Sequence, residues 1–187
     1  ADEYGNANGI YGPTPCGPLI YSKVDSLYAD KVIIVTNNLV DYPAFPMTIS
    51  QTDVDHVVVE DNIGDTKGIL SGTLRITRSP RRLKIARTVV DVIRASGCLK
   101  EGFNFQAGAG GISLAVTKYL GETMEEEDIV GGFGMGGSTK YLVDILKKGR
   151  IRCLLDGQCF DEEAIKSLRE NPKHVIVDPS FYANYNS

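Results

Sequence analysis

Phe103-Asn104-Phe105-Gln106-Ala107-Gly108-Ala109-Gly110-Gly111-Ile112-Ser113-Leu114-Ala115-Val116 is the stretch whose reading decides the fold. Aromatic and polar residues alternate over 103–106, which predicts a short strand. The glycines of 108–111 then turn the chain. Ile112 opens an apolar pattern that predicts a helix to about Glu122. The same rhythm continues downstream, with a strand from Ile129 to Met135 and a helix over Lys140–Lys148, which Ser138 is expected to cap. Its two terminal lysines suit the negative end of a helix dipole. Ile151–Leu155 reads as a strand, Asp161-Glu162-Glu163 as an acidic helix start, and His174–Val177 as a last short strand.

Upstream, Ser79-Pro80 reads as an N-cap followed by proline at the first helical position. The helix it starts runs through Leu83, Ala86, Val90 and Ile93 and ends near Gly97. Lys31–Thr36 and Val54–Val59 are runs rich in β-branched residues, expected to be strands buried on both faces. Strands alternating with helices mean βαβ units, so the class is α/β with mainly parallel sheets. Gly, Thr, Arg, Ser and Pro gather over residues 68–82. That break divides the chain into residues 1–78 and 79–187.

Composition narrows the function. Lys and Arg number 20 against 24 Asp and Glu, a formal charge of −4. A general nucleic-acid binder would carry a basic excess instead. Hydrophobic residues make up 42% and charged residues 24%, the balance of a globular rather than a disordered chain. No apolar run approaches the ~18 residues of a membrane helix. The four cysteines form no C-x-x-C pair and there are only two histidines, His56 and His174, so no metal site is expected. Each cysteine has apolar neighbours, which predicts buried, reduced thiols and a cytoplasmic setting.

In a parallel sheet, ligands gather beyond the C-terminal strand ends. Gly108-Ala109-Gly110-Gly111 falls there, with backbone N–H groups that no side chain shields and a helix N-terminus behind them. Such a turn can hold phosphate or stabilise an oxyanion. It is neither a P-loop nor a dinucleotide fingerprint. Gly131-Gly132-Phe133-Gly134-Met135-Gly136-Gly137-Ser138 reads as a second loop, where missing side chains leave room for a substrate. Glu125–Asp128 reads as a solvated acidic loop. No Ser-His-Asp or Cys-His nucleophile stands out.

Six blocks together resemble one family: DEYGNANG at 2–9, EDNIGD at 60–65, FQAGAGGISLAV at 105–116, LDGQCFD at 155–161, SLRENPKH at 167–174 and YAN at 182–184. The chain resembles the citrate lyase alpha subunits, the citrate CoA-transferase component, along its whole length. Tyr185 departs from the pattern, which usually has proline there. The resemblance implies parts of two CoA-transferase-like three-layer domains, and a chain longer than this one. A segment cut from such a pair of domains should expose apolar surface.

The implied reaction exchanges acetate for citrate on a thioester whose thiol is the dephospho-CoA-type prosthetic group of an acyl carrier subunit, with acetyl-CoA as a surrogate. No cofactor is bound covalently to this chain. Implied partners are citrate, acetate, and the acyl carrier (gamma) and lyase (beta) subunits of an oligomeric cytoplasmic complex. Gly108, Ala109, Gly110 and Gly111 would supply the backbone oxyanion donors. Gln106, Gly134, Gly136, Gly137, Ser138, Lys140, Asp2, Glu3 and Asn6 would contact substrate or CoA. Arg75, Arg78, Arg81 and Arg82 are further cations for a tricarboxylate. Related CoA-transferases use a glutamate nucleophile, which aligns with Gly136, so no covalent enzyme thioester is expected at that position. Three alternatives remain open: the malonate decarboxylase alpha subunit, an ordinary CoA-transferase with a covalent glutamate, and a non-catalytic ligand-binding module of the same fold.

Overall fold

The structure is a computed structural model, and it describes residues 1–64 and 74–183. Asp65, Gly68, Gly72, Asn184 and Tyr185, which figured in the sequence motifs and the expected boundary, lie outside the described residues. By compactness the chain divides into two units, Ala1–Leu70 with Ile176–Ser187, and Ser71–Val175.

In the first unit, helix α1 (Ile20–Tyr28) precedes strand β1 (Ile33–Thr36), and a single 3-10 turn (Gln51–Asp53) leads to strand β2 (His56–Val59). The two strands pair in parallel, Ile33 opposite His56 and Thr36 opposite Val59. They are shorter than expected and are not buried on both faces. Ile33, Val35, Val58 and Val59 are all exposed, because a two-stranded sheet has too few neighbours to cover its apolar residues. A short final helix, α6 (Pro179–Tyr182), packs on α1.

The second unit carries helix α2 (Pro80–Ala95) and then a strict alternation: β3 (Phe105–Ala107), α3 (Gly111–Glu126), β4 (Gly131–Ser138), α4 (Lys140–Lys147), β5 (Ile151–Cys159), α5 (Glu162–Glu170) and β6 (His174–Ile176). The sheet order is β3-β4-β5-β6. β3 pairs β4 and β4 pairs β5 in parallel, as βαβ units require. Leu142, Val143, Ile145 and Leu146 of α4 are buried. Their spacing places them on one face, and each is worth about 1.5–3 kcal/mol of apolar burial.

Four local expectations need correction. The strand expected over Ile129–Met135 is present as β4 but runs on through Ser138, so the glycine-rich 131–138 segment, also read as a loop, is the strand between β3 and β5. Ser138 does not cap α4. Thr139 holds the N-cap position without a side-chain bond, and Asp161 Oδ2 accepts from the Lys140 N–H at 2.7 Å. The acidic run is half helical, since α3 extends through Glu126. Its acids meet cations: Glu125 pairs with Lys148 at 2.5 Å, Asp128 with Arg150 at 2.8 Å, and Glu127 with Arg94. Finally, not all four thiols are buried, because Cys98 is exposed and Cys16 and Cys153 are half-buried.

Candidate functional site

The turn Gly108–Gly111 joins β3 to α3 at the C-terminal end of the strand. Gly110 takes the N-cap position with φ −73° and ψ 156° and offers no side chain. The first turn-closing bond runs from the Leu114 N–H to the Gly110 carbonyl at 2.9 Å. No acceptor among the described residues meets the N–H groups of Gly110, Gly111, Ile112 or Ser113. A helix start without capping leaves these donors, and the positive dipole end, open to an anion. Gly111 is required for a different reason. A Cβ there would stand 2.9 Å from the Arg75 carbonyl oxygen, and Thr77 N–H donates to the Gly111 carbonyl at 3.0 Å. Segment 74–78 therefore lies against the start of α3.

That apposition forms a cleft of about 180 Å³, lined by Arg75, Arg78, Thr139, Lys140, Tyr141 and Asp161 over Leu114. None of the three cations has an acidic partner among the described residues. Asp161, the acid in the lining, is committed to capping: besides the Lys140 N–H, its Oδ1 accepts from the Ala164 N–H at 2.9 Å. The cleft is thus net positive and borders the uncapped helix start. Arg81 and Arg82, on α2, are not among the lining residues.

The other residues singled out from sequence fall in three groups. Gln106 is exposed at the middle of β3, opposite Met135, and Gly134 is buried opposite Phe105. Gly136 and Gly137 sit at a register break between β4 and β5. The space their missing side chains leave is already occupied. A Cβ on Gly137 would fall 1.8 Å from the Phe160 ring, and one on Gly136 would fall 2.6 Å from the Ala107 carbonyl oxygen. The glycines of β4 are packing devices between neighbouring strands, not a vacated substrate space. Ser138 is fully buried.

Asp2 and Asn6, in the first unit, are buried and their polar atoms are occupied. Asp2 accepts from the Tyr4, Asn6 and Ala44 N–H groups and from Asn6 Nδ2, at 2.8–3.0 Å. Asn6 also donates to Gln51 Oε1 at 2.8 Å and accepts from the Gln51 N–H at 2.9 Å. Burial works to raise the Asp2 pKa, yet the hydrogen bonds outweigh it and hold the carboxyl below its ordinary value. Both residues brace the 2–9 segment. Glu3 beside them is exposed.

One constellation escaped the sequence. Ser138, Asp156, Ser167 and His174 are all buried and meet around the His174 ring. Asp156 Oδ2 lies 3.3 Å and Ser138 Oγ 3.4 Å from Nε2, while Ser167 Oγ lies 3.1 Å from Nδ1. It is not a hydrolase triad. Carboxylate and Ser138 share one ring nitrogen rather than taking opposite ones, and no substrate reaches a fully buried hydroxyl. Nothing in the sequence spacing brings residues 138, 156, 167 and 174 together.

Comparison with known proteins gives these features a family. The model for "Citrate lyase, alpha subunit (CitF)" matches residues 1–187. The citrate lyase alpha chain of Haemophilus influenzae is 47% identical over 186 residues, covering 100% of this chain and 37% of its own. That of Klebsiella pneumoniae is 46% identical over 183 residues, covering 98% and 36%. A solved alpha subunit of citrate lyase from Streptococcus mutans, in complex with citrate, superposes with a TM-score of 0.90 at 47% identity, covering 100% of this chain and 37% of that one. The malonate decarboxylase alpha subunit of Acinetobacter baumannii shares the fold, with a TM-score of 0.58 at 20% identity over 93% of this chain and 31% of that one. This chain thus spans a little over a third of the length of the relatives it matches. It belongs to the citrate lyase alpha-subunit family.

Proposed function

We propose that the protein containing this chain is the citrate CoA-transferase component of a citrate lyase. It would convert an acetyl thioester and citrate to a citryl thioester and acetate. The observation that carries the proposal is the open row of N–H donors at Gly110–Ser113 beside the cationic cleft, in a chain 47% identical to citrate lyase alpha chains. A citrate carboxylate attacks the acetyl carbonyl, and charge grows on the carbonyl oxygen. Donors of the Gly108–Gly111 turn stabilise that charge, each worth about 3 kcal/mol in such sites. The tetrahedral intermediate expels the thiolate and leaves a mixed citryl–acetyl anhydride. The thiolate then attacks the citryl carbonyl, and acetate departs. Holding the acid and the thioester together supplies much of the remaining acceleration.

This route uses no enzyme carboxylate. Gly136, where related CoA-transferases align their glutamate, supports it: φ is +124° there and a Cβ would meet the Ala107 carbonyl, so this backbone gives a nucleophilic side chain no place. The thiol belongs to the dephospho-CoA-type group of an acyl carrier subunit, and a lyase subunit consumes the citryl thioester, all in the cytoplasm. Residues 1–78 and 79–187 are parts of two CoA-transferase-like domains in this proposal.

The test uses the full-length chain with acetyl-CoA and either citrate or malonate, followed by mass spectrometry of the acyl-CoA products. Citryl-CoA is expected. Malonyl-CoA would move the protein to the malonate branch, and a borohydride-sensitive thioester on the protein would overturn the direct route.

A further inference from the structure

The β4–β5 ladder slips by one residue at its C-terminal end. Gly136 pairs with Asp156 but Gly137 pairs with Gln158, so Gly157 is extra and β5 bulges. Bulges leave ladder groups unpaired and re-aim the chain. Here the Asp156 carboxylate fills the gap: Oδ1 accepts from the Gln158 N–H at 2.9 Å and Oδ2 from the Cys159 thiol at 3.0 Å. The carboxylate is fully buried. A buried carboxylate is tolerated only among donors, and among the described residues His174 Nε2 is a further one, 3.3 Å from Oδ2. A proton carried on Nε2 would point at this carboxylate, while Nδ1 faces the Ser167 hydroxyl of α5 at 3.1 Å. Asp156 and His174 thereby tie β4, β5, β6 and α5 together at the bulge.

The bulge touches the candidate site. Gly136, on its β4 side, is packed so closely on Ala107 that no Cβ fits between them. Ala107 is followed directly by the Gly108–Gly111 turn. All of these residues lie within the second unit, and the pair is already buried there.

We propose that Asp156 and His174 are a positioning pair. Through the Gly136–Gly157 bulge they hold the N–H donors of the glycine turn in their catalytic aim, a role that rests on the exchange reaction proposed above. Neither residue touches substrate. What the pair contributes is the Nε2–H to Oδ2 bond, not bulk at position 174.

Two substitutions of similar size separate bond from bulk. In the full-length chain, His174→Gln keeps an N–H near the Nε2 position, whereas His174→Asn reaches only the Nδ1 position. A displaced catalytic group lowers kcat, so His174→Asn is expected to lose about tenfold or more in kcat with the KM values for citrate and acetyl-CoA changed by less than about twofold. His174→Gln is expected to stay near wild type. Hydrogen–deuterium exchange of the peptide spanning 134–139 gives a readout without activity, expected to quicken in His174→Asn and not in His174→Gln. Equal kcat in the two variants, whether both wild-type or both lost, overturns the proposal. So does a kcat loss with unchanged exchange, or faster exchange with unchanged kcat. If His174→Asn does not fold, Asp156→Asn is read by the same criteria. Should the wild-type protein transfer no acyl group, the exchange reaction fails by itself, and the hydrogen-exchange contrast alone decides whether the pair holds the bulge.

Discussion

Gly136 adopts φ +124°, a conformation that L side chains rarely take, and its Cα faces the Ala107 carbonyl. Gly136→Ala therefore combines backbone strain with a steric overlap, and about 1–3 kcal/mol of stability should be lost. Urea denaturation of the variant against wild type measures it. Gly110 offers a cleaner probe of the oxyanion proposal. Its φ of −73° and ψ of 156° suit proline, and a Cβ there meets nothing closer than Ser113 Oγ at 3.8 Å. Gly110→Pro removes one N–H and should reduce kcat by about 10²–10³. Gly110→Ala keeps that N–H and should remain near wild type in the same acyl-exchange assay. The glycine turn was legible as a candidate because glycines at a strand end announce themselves. The His174 cluster was not, because a lone histidine beside an ordinary strand carries no local signal.

At the scale of elements, Asp161 serves two helices. One oxygen caps α5 through the Ala164 N–H and the other takes the Lys140 N–H at the start of α4. Asp161→Ala should cost about 1–2 kcal/mol, with loss of helical signal at a lower urea concentration. The acidic start of α5 announced that cap, and Gly97 at φ +73° ends α2 where expected. Other boundaries were hidden. β4 was expected to stop at Met135 and its glycines to form a loop, because five glycines carry no β-propensity, yet parallel pairing on both sides keeps them in a strand that runs on to Ser138. α1 went unrecognised since it has no side-chain cap and buries only Ile20 and Ser26. β5 runs four residues past its apolar run, through Asp156 and Gly157 to Cys159, because the bulge there is organised by a buried carboxylate instead of by hydrophobic residues.

At the scale of the whole molecule, charge and apolar exposure govern behaviour. The Asp2 carboxyl is held below its ordinary pKa of 3.8, burial being outweighed by hydrogen bonds from Ala44, Asn6 and Tyr4. A depressed carboxylate contributes stability that is complete above the unfolded pKa and vanishes as pH falls through the folded one. Asp2→Asn should therefore destabilise the chain at pH 7 and narrow its difference from wild type below pH 3.8, as thermal melts across acid pH will read. Ile33, Val35 and Val58 on one face of the two-stranded sheet, and Val59 on the other, leave apolar surface exposed, of the kind that binds hydrophobic dyes. The 187-residue chain should raise the fluorescence of such a dye, and Val35→Thr with Val59→Thr should lower it.

Local sequence alone carries the α/β class, the alternation of elements in the second half and the family, because periodicity, turn glycines and ordered motifs are local and survive without coordinates. Tertiary structure decided the rest. Whether a glycine frees space or fills it depends on what packs beside it, and Phe160, Ala107 and Arg75 arrive from distant positions. The cationic cleft needs residues 74–78 laid against the start of α3. The Asp156–His174 pair exists only where the register of two strands slips and burial leaves a carboxylate no water to turn to.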